Sequence, residues 1–122
     1  MSTKEVAKKW AEYCRTGQTE KAYKELYAKD CVSIEMKGVK GYPQRAEGME
    51  AILKKGQQWS QMVEAFHGME IEGPLVAANY FTASMKMDMT LKGQSRKINE
   101  EVGVFQIENG KIVSEQFFYP LD

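Results

Sequence analysis

The sequence has few cysteines, one histidine and no excess of charge of either sign. Of 122 residues, two are cysteine and one is histidine, and 17 Lys and Arg balance 17 Asp and Glu. A net charge of zero provides no overall field that would attract a phosphate backbone, so nucleic acid is not an expected partner. With only Cys14 and Cys31 available, we expect two reduced thiols in a cytoplasmic protein rather than a disulfide framework.

Long apolar runs are also missing. The longest, residues 74–78 and 117–121, are far shorter than the roughly 18 residues that a membrane helix needs. Residues 1–5 lack the apolar segment of a secretory signal, and we expect no membrane association. The sequence contains no zinc-ligand spacing, phosphate loop, dinucleotide fingerprint or nucleophile elbow. We therefore expect neither a metal nor a cofactor.

The residues that are present indicate a globular fold that begins with helices. Hydrophobic residues make up 43% of the chain and charged residues 28%, as in ordinary globular domains. Ser2 and Glu5 have the spacing of a capping box, which predicts a first helix that ends at Gly17. A second helix is predicted from Thr19, and a third follows Gly48. Between the second and third helices, the alternation of residues 31–36 predicts a strand, and residues 37–45 are predicted to form a loop.

From about Glu64 the apolar residues recur at every second position instead of at helical spacing. Strands are predicted over residues 66–72, 76–91, 96–107 and 111–119, with a break at Gly73-Pro74 and a hairpin turn at Asn109-Gly110. The order is three helices and then an antiparallel meander. The sequence therefore predicts one α+β domain over residues 1–122, in which three N-terminal helices pack on a strongly curved antiparallel sheet around a pocket.

Three segments carry a resemblance to a known family: residues 25–35 (ELYAKDCVSIE), 47–52 (EGMEAI) and 105–115 (FQIENGKIVSE). In this order and spacing the chain resembles the SnoaL-like branch of the NTF2-like superfamily, and residues 67–74 (HGMEIEGP) add to the likeness. The resemblance implies a cone-shaped fold with an internal pocket. Because the superfamily holds isomerases, cyclases, dehydratases and proteins without chemistry, it leaves open a cofactor-free acid/base enzyme or a non-catalytic binding module.

The resemblance also implies catalytic residues. Glu35 matches the strand position that carries a proton-transferring carboxylate in the ketosteroid isomerase branch, and an apolar chamber would raise the pKa of such a group toward neutrality. The alternative is a solvated carboxylate on an exposed strand face. His67 lies in the His-Gly segment of the resemblance, and if it faces the chamber it is expected to pair with Glu35, Glu101 or Glu115, because an imidazole exchanges a proton near neutral pH. The alternative is a structural histidine without a catalytic role.

Further residues are expected to line the pocket by their position relative to the isomerase branch. They are Trp10, Glu101, Phe105, Glu115, Phe117 and Tyr119. The hydrogen-bond donors of a ketosteroid isomerase are absent, since the matching positions hold Trp10 and Gly103, so that specific activity is not expected. Several inward carboxylates would repel one another and shift their pKa values unless they were protonated or paired.

Apolar residues on the opposite face of the predicted sheet indicate a partner. Val102, Val104 and Phe118 would be poorly placed in water, and we expect a homodimer through this face. The small-molecule ligand is the other expected partner. Met85, Met87 and Met89 alternate on one strand, and they are typical of a buried sheet face, a dimer contact or a pocket lining.

Overall fold

The structure, a computed structural model, describes residues 1–38 and 43–121. In chain order its elements are α1 (Thr3–Arg15), α2 (Thr19–Leu26), β1 (Tyr27–Ile34), β2 (Arg45–Glu47), α3 (Met49–Met62), β3 (Val63–Ala77), β4 (Tyr80–Leu91), β5 (Lys97–Glu108) and β6 (Lys111–Phe118). The three predicted helices are confirmed. Residues 39–42 of the predicted loop lie outside the described residues, and the short strand β2, which the sequence did not indicate, begins at its last residue.

The start of the first helix is set by side chains, as the sequence predicts. The Ser2 hydroxyl accepts a hydrogen bond from the Glu5 backbone N–H at 3.1 Å, and the Glu5 carboxylate accepts one from the Ser2 backbone N–H at 3.1 Å. This capping box satisfies two backbone donors that the helix itself leaves unpaired. The buried face of α1 then carries Val6, Trp10 and Cys14 against the sheet.

The six strands form one sheet in the order β2-β1-β6-β5-β4-β3. Strands β3 to β6 form the predicted antiparallel meander. The expectation of a wholly antiparallel sheet is wrong at one seam, because β1 pairs with β6 in parallel. Local patterns and turn signals report hairpins, whereas a parallel pair is joined through a long crossover that leaves no local signal. The sheet is therefore mixed.

The boundary between β3 and β4 lies later than the sequence predicts. The chain does not break at Gly73-Pro74, and β3 continues to Ala77 before a turn at residues 78–79. Because β3 is an edge strand, Pro74 can lie within it without removing a needed ladder hydrogen bond. The turn uses Ala78 with a φ of 53°, in a region where glycine or asparagine is usual, which explains why no turn was expected there.

One end of the space between helices and sheet is filled by a group of aromatic rings. The ring centroids of Trp10 lie 4.6 Å from Phe105 and 5.5 Å from Phe81, and the Phe81 and Phe105 rings stack at 4.4 Å. Gly103 belongs to this packing, because a Cβ added there would lie 2.8 Å from the Phe105 ring. We call Trp10, Phe81, Gly103 and Phe105 the closed end of the cone. Among the described residues, no helix is long and apolar enough to cross a membrane.

Candidate functional site

At the other end, a cavity of about 500 Å³ remains between helices α2 and α3 and strands β4 to β6. We call this the open end. Its apolar and aromatic lining includes Trp59, Met62, Met87, Leu91 and Phe117, and its acidic lining includes Glu35, Glu101 and Glu115. The wall thus combines apolar surface with several charged and polar groups, and a concave site that joins apolar surface to convergent polar groups is typical of small-molecule binding.

A buried ion pair lies in the wall of this cavity. Lys55, on α3, donates from Nζ to the Oε2 atom of Glu35 at 2.5 Å, and both side chains are only 9% exposed. The Tyr119 hydroxyl donates to the other oxygen of Glu35 at 2.7 Å. Each oxygen of the Glu35 carboxylate therefore accepts a hydrogen bond, as a buried charge requires.

Glu115 lies deeper and is almost completely buried. Its carboxyl accepts hydrogen bonds from the Tyr27 hydroxyl at 2.5 Å and the Ser33 hydroxyl at 2.7 Å. Burial raises the pKa of Glu115 above its ordinary value, although the Tyr27 and Ser33 hydrogen bonds and the charge of Lys55 oppose the rise.

One hydroxyl joins the two acids. Ser33 donates to Glu115 and accepts a hydrogen bond from Lys55 Nζ at 2.6 Å. Glu35, Lys55, Ser33 and Glu115 thus form one continuous hydrogen-bonded chain across β1, α3 and β6. Because the surroundings are poorly solvated, a change of charge at one of these groups alters the electrostatic energy of the others.

Glu101, on β5, differs from the other two acids. Burial, together with the nearby charges of Glu35 and Glu115, raises the pKa of its carboxyl to about 7, and Lys55 opposes the rise. Within the described ranges its carboxyl has no hydrogen-bond partner from the protein. A carboxyl with this pKa is present in both its neutral and its ionised forms near neutral pH, and it is free to contact a ligand.

The structure brings together most of the residues predicted for the site. Glu35, Glu101, Glu115, Phe117 and Tyr119 all line the cavity. The inward alternation predicted for strands β5 and β6 is therefore present in the structure. The cavity brings the three acids together around a single buried lysine.

Trp10 and Phe105 face inward as expected but lie at the closed end. They are 4% and 0% exposed, and their rings contact each other. Neither is among the residues that line the cavity. The reason is depth along the strand, because Phe105 lies four residues further into the cone than Glu101 on the same face of β5.

His67 is exposed on β3 and does not line the cavity. Its Nε2 atom lies 3.1 Å from the Thr90 hydroxyl oxygen, and it does not meet Glu35. The register of β3 against β4 shifts between Phe66 and Gly68. Such a bulge interrupts the alternation of faces, and Phe66 and His67 are accordingly both exposed.

Sequence reasoning missed Lys55, Ser33 and Tyr27. A signal for Lys55 exists, because it lies three residues after the buried Ile52 and four before the cavity residue Trp59, on the same face of α3. A lysine within an apolar helical stripe must be paired or must face a cavity. Within residues 1–38 and 43–121, no group of three or more His, Cys, Asp or Glu side chains could hold a metal ion.

The fold and this cavity define a cone of the NTF2-like type, and comparisons with known proteins narrow the class. A family model described as the SnoaL-like domain matches residues 1–119. The chain therefore belongs to the SnoaL-like family, which is related to the polyketide cyclases. Among curated proteins, none matches the chain.

Solved structures agree with this assignment. A Mesorhizobium loti protein that bears the name SnoaL-like polyketide cyclase is 34% identical, with a TM-score of 0.87 over 98% of this chain and 100% of that one. An NTF2-like protein from Burkholderia pseudomallei has a TM-score of 0.83 at 13% identity, over 98% and 92% of the two chains. A Catenulispora acidiphila protein with a ketosteroid isomerase-like fold has a TM-score of 0.74 at 21% identity, over 96% and 86%. The last two show the fold alone.

Proposed function

We propose that this SnoaL-like chain binds a small, largely apolar carbonyl compound at the open end and transfers a proton within it without a cofactor. The observation that carries the proposal is Glu101, a carboxyl with a pKa of about 7 on the wall of the cavity, near the apolar side chains of Met87 and Phe117 that also line it. A catalytic acid or base is most effective when its pKa lies near the working pH.

In this proposal the ionised Glu101 takes a proton from a carbon next to the carbonyl group, and the neutral Glu101 then returns a proton to the same molecule at a different atom. The cycle consumes no proton overall. It accounts for an isomerisation directly, and for a cyclisation or dehydration if the intermediate reacts further. Glu35, which the sequence indicated as the base, accepts one hydrogen bond on each oxygen, from Lys55 and from Tyr119, and in the proposal its role is to hold those two side chains.

The test is exchange of carbon-bound hydrogen for deuterium. A panel of apolar ketones is incubated with the protein in D2O, and incorporation next to the carbonyl group is followed by NMR. We expect exchange with the wild type and a loss of about 100-fold or more with Glu101→Gln. The matched control is Glu108→Gln, on the same strand but exposed, which should exchange as the wild type does. Equal exchange in Glu101→Gln would contradict the proposal.

A non-catalytic binding module is the second candidate. The residue that matches the isomerase's tyrosine is Trp10, and it is packed at the closed end and cannot donate to a ligand in the cavity. If the chain only binds, the same ketones should raise the melting temperature of the wild type and of Glu101→Gln without any deuterium exchange.

We also propose that two copies associate through the outer face of the sheet. Val102 and Phe118 are cross-strand neighbours on β5 and β6, and they are 43% and 44% exposed. Burial of such a pair against a second copy would remove apolar surface from water. Size-exclusion chromatography with light scattering should give twice the monomer mass for the wild type and the monomer mass for Val102→Lys. A monomeric wild type at micromolar concentration would contradict this proposal.

For the cellular compartment, we propose the cytoplasm. Cys14 and Cys31 are both free and buried. Burial raises the pKa values of their thiols to about 12 and about 11, so both stay protonated and unreactive at neutral pH. Two reduced thiols are the usual state in a reducing compartment.

A further inference from the structure

Lys55 is the one cation buried in the wall of the cavity, as far as the described residues extend, and the proton transfer proposed above makes no direct use of it. Its ammonium group has three N–H donors. Two of them are assigned by the structure, to Glu35 at 2.5 Å and to Ser33 at 2.6 Å. Lys55 also lines the cavity, where its Nζ atom lies 5.6 Å from the centre of the Phe117 ring.

The third N–H of Lys55 has no protein acceptor within residues 1–38 and 43–121. Only 9% of the side chain is exposed, and a buried N–H donor without an acceptor lowers the stability of the fold. The favourable contact with the face of the Phe117 ring is weaker than a hydrogen bond to an oxygen. A ligand oxygen in the cavity would complete the hydrogen bonding of the ammonium group.

From this geometry we infer that Lys55 donates its third N–H to the carbonyl oxygen of the ligand and stabilises the negative charge that develops there. The inference rests on the proposed function. When Glu101 removes a proton from the neighbouring carbon, the electron pair of that C–H bond moves toward the carbonyl oxygen, which becomes an enolate oxygen. The proton is then on Glu101, and the negative charge lies beside Lys55.

The surroundings of Lys55 suit this role. Glu35 and Ser33 fix the position of the Nζ atom before a ligand arrives, so little reorganisation accompanies the reaction. Ser33 lies on β1 and Glu35 directly follows the end of that strand, while Lys55 itself reaches in from α3. Because the group is shielded from water, its charge acts more strongly than it would in solvent. In this role Lys55 supplies, from α3, the hydrogen-bond donor that an isomerase would have at the positions of Trp10 and Gly103.

A purely structural role for Lys55 is the competing explanation, since the lysine neutralises Glu35. The two roles are separated by a probe whose ionisation can be seen. The probe is 4-nitrophenol, whose neutral and ionised forms absorb at different wavelengths. Its oxygen carries the negative charge when ionised, as an enolate oxygen does, and the absorbance of the bound probe is titrated with pH.

We expect wild type to lower the apparent pKa of bound 4-nitrophenol by at least one unit relative to Lys55→Met, which is a tenfold or larger change in the ratio of ionised to neutral probe. The control is Lys54→Met, the neighbouring exposed lysine, which should behave as wild type. Because Lys55→Met leaves Glu35 unpaired and can impair folding, the double variant Lys55→Met/Glu35→Gln, which removes both charges, is measured beside it. It should fold and still lose the shift in the probe.

The outcomes distinguish the two proposals. If 4-nitrophenol binds to the wild type and its pKa is the same in the double variant, Lys55 is structural and this inference is wrong, while the proposed function stands. If neither wild type nor Lys54→Met binds the probe or any ketone of the exchange panel, the proposed function fails and this inference fails with it. A shift present in wild type and Lys54→Met, and absent in both Lys55 variants, supports the inference.

Discussion

The two ends of the cone contrast in how inward-facing side chains are used. At the closed end, Trp10, Phe81 and Phe105 contact one another and exclude water. At the open end, Glu101 and Lys55 face a cavity of about 500 Å³. The same face of strand β5 contributes to both ends of the cone. It carries Phe105 at the closed end and Glu101 at the open end, and the two residues lie about 13 Å apart along the strand.

The two ends show that the face on which a strand residue lies and its position along the strand are separate properties. Alternation decides only which face a side chain occupies. Whether an inward side chain becomes core or cavity wall depends on what lies opposite. Opposite Phe105 is Trp10 of α1, whereas α3 brings Lys55 and Trp59 to the cavity. The closed end therefore supplies packing energy, and the open end holds polar groups whose burial costs stability.

The largest effect is expected at the closed end. Phe105→Ala removes a fully buried ring and its contacts with Trp10, Phe81 and Phe117, and it should lower the free energy of unfolding by about 3–5 kcal/mol. The matched control is Phe66→Ala, because Phe66 is 54% exposed and should cost about 1 kcal/mol or less. Urea unfolding measures both. Equal losses would contradict the division of the cone into two ends.

The second effect concerns the ion pair of the open end. Lys55→Met alone leaves the Glu35 carboxylate buried without its cation, and we expect a loss of about 2–3 kcal/mol in the free energy of unfolding at pH 8. The double variant Lys55→Met/Glu35→Gln should recover most of this loss, because no unpaired charge remains. Urea unfolding of Lys55→Met, Glu35→Gln and the double variant gives the coupling free energy of the pair as a double-mutant cycle. Additive losses would show that the pair is not coupled.

The third effect is a dependence on pH that belongs to Glu101. Its pKa rises from an ordinary value near 4.5 to about 7 in the folded chain, so the folded state binds this proton more tightly than the unfolded state does. The stability that comes from the protonated group is fully present below pH 4.5, and it is lost as the pH rises through 7. Relative to Glu101→Gln, the wild type should lose on the order of 2 kcal/mol between pH 4.5 and pH 8.

Urea unfolding of wild type and Glu101→Gln at pH 4.5, 6 and 8 tests this expectation. Comparison with the Gln variant removes the contributions of the other titrating groups, provided that they are the same in both proteins. A difference between the two proteins that does not change with pH would show that Glu101 has an ordinary pKa. That result would also remove the observation on which the proposed function rests.

Much of the fold could be predicted because its signals are local. The capping box at Ser2, the change from a helical period to a period of two near Glu64 and the Asn109-Gly110 turn are each visible within a few residues. The parallel pairing of β1 with β6 could not be predicted in this way, because its partners lie about eighty residues apart, such as Ser33 and Glu115. Topology of this kind depends on the whole chain.

The site was predicted in part, and there the resemblance supplied what local patterns did not. Position relative to the isomerase branch placed Glu101, Glu115 and Phe117 on the inward face, and all three line the cavity. Lys55 was missed because a lysine on a helix is usually solvated, and its burial is visible only once Glu35 and Ser33 are brought against it. The pKa of Glu101 likewise depends on charges from other elements, which no local pattern reveals.

The smallest effect is expected for His67, the only histidine of the chain. It is exposed on an edge strand, and its one hydrogen-bond contact in the described residues is with Thr90 at 3.1 Å. Because neither the closed nor the open end includes His67, His67→Gln should change the free energy of unfolding by no more than about 0.5 kcal/mol. It should also leave deuterium exchange into the ketone panel unchanged. The exchange rates of His67→Gln and wild type are compared between pH 5 and pH 8. If His67→Gln abolished exchange or altered its pH profile, the proton would be passing through the edge strand β3, and the open end would not be the complete site.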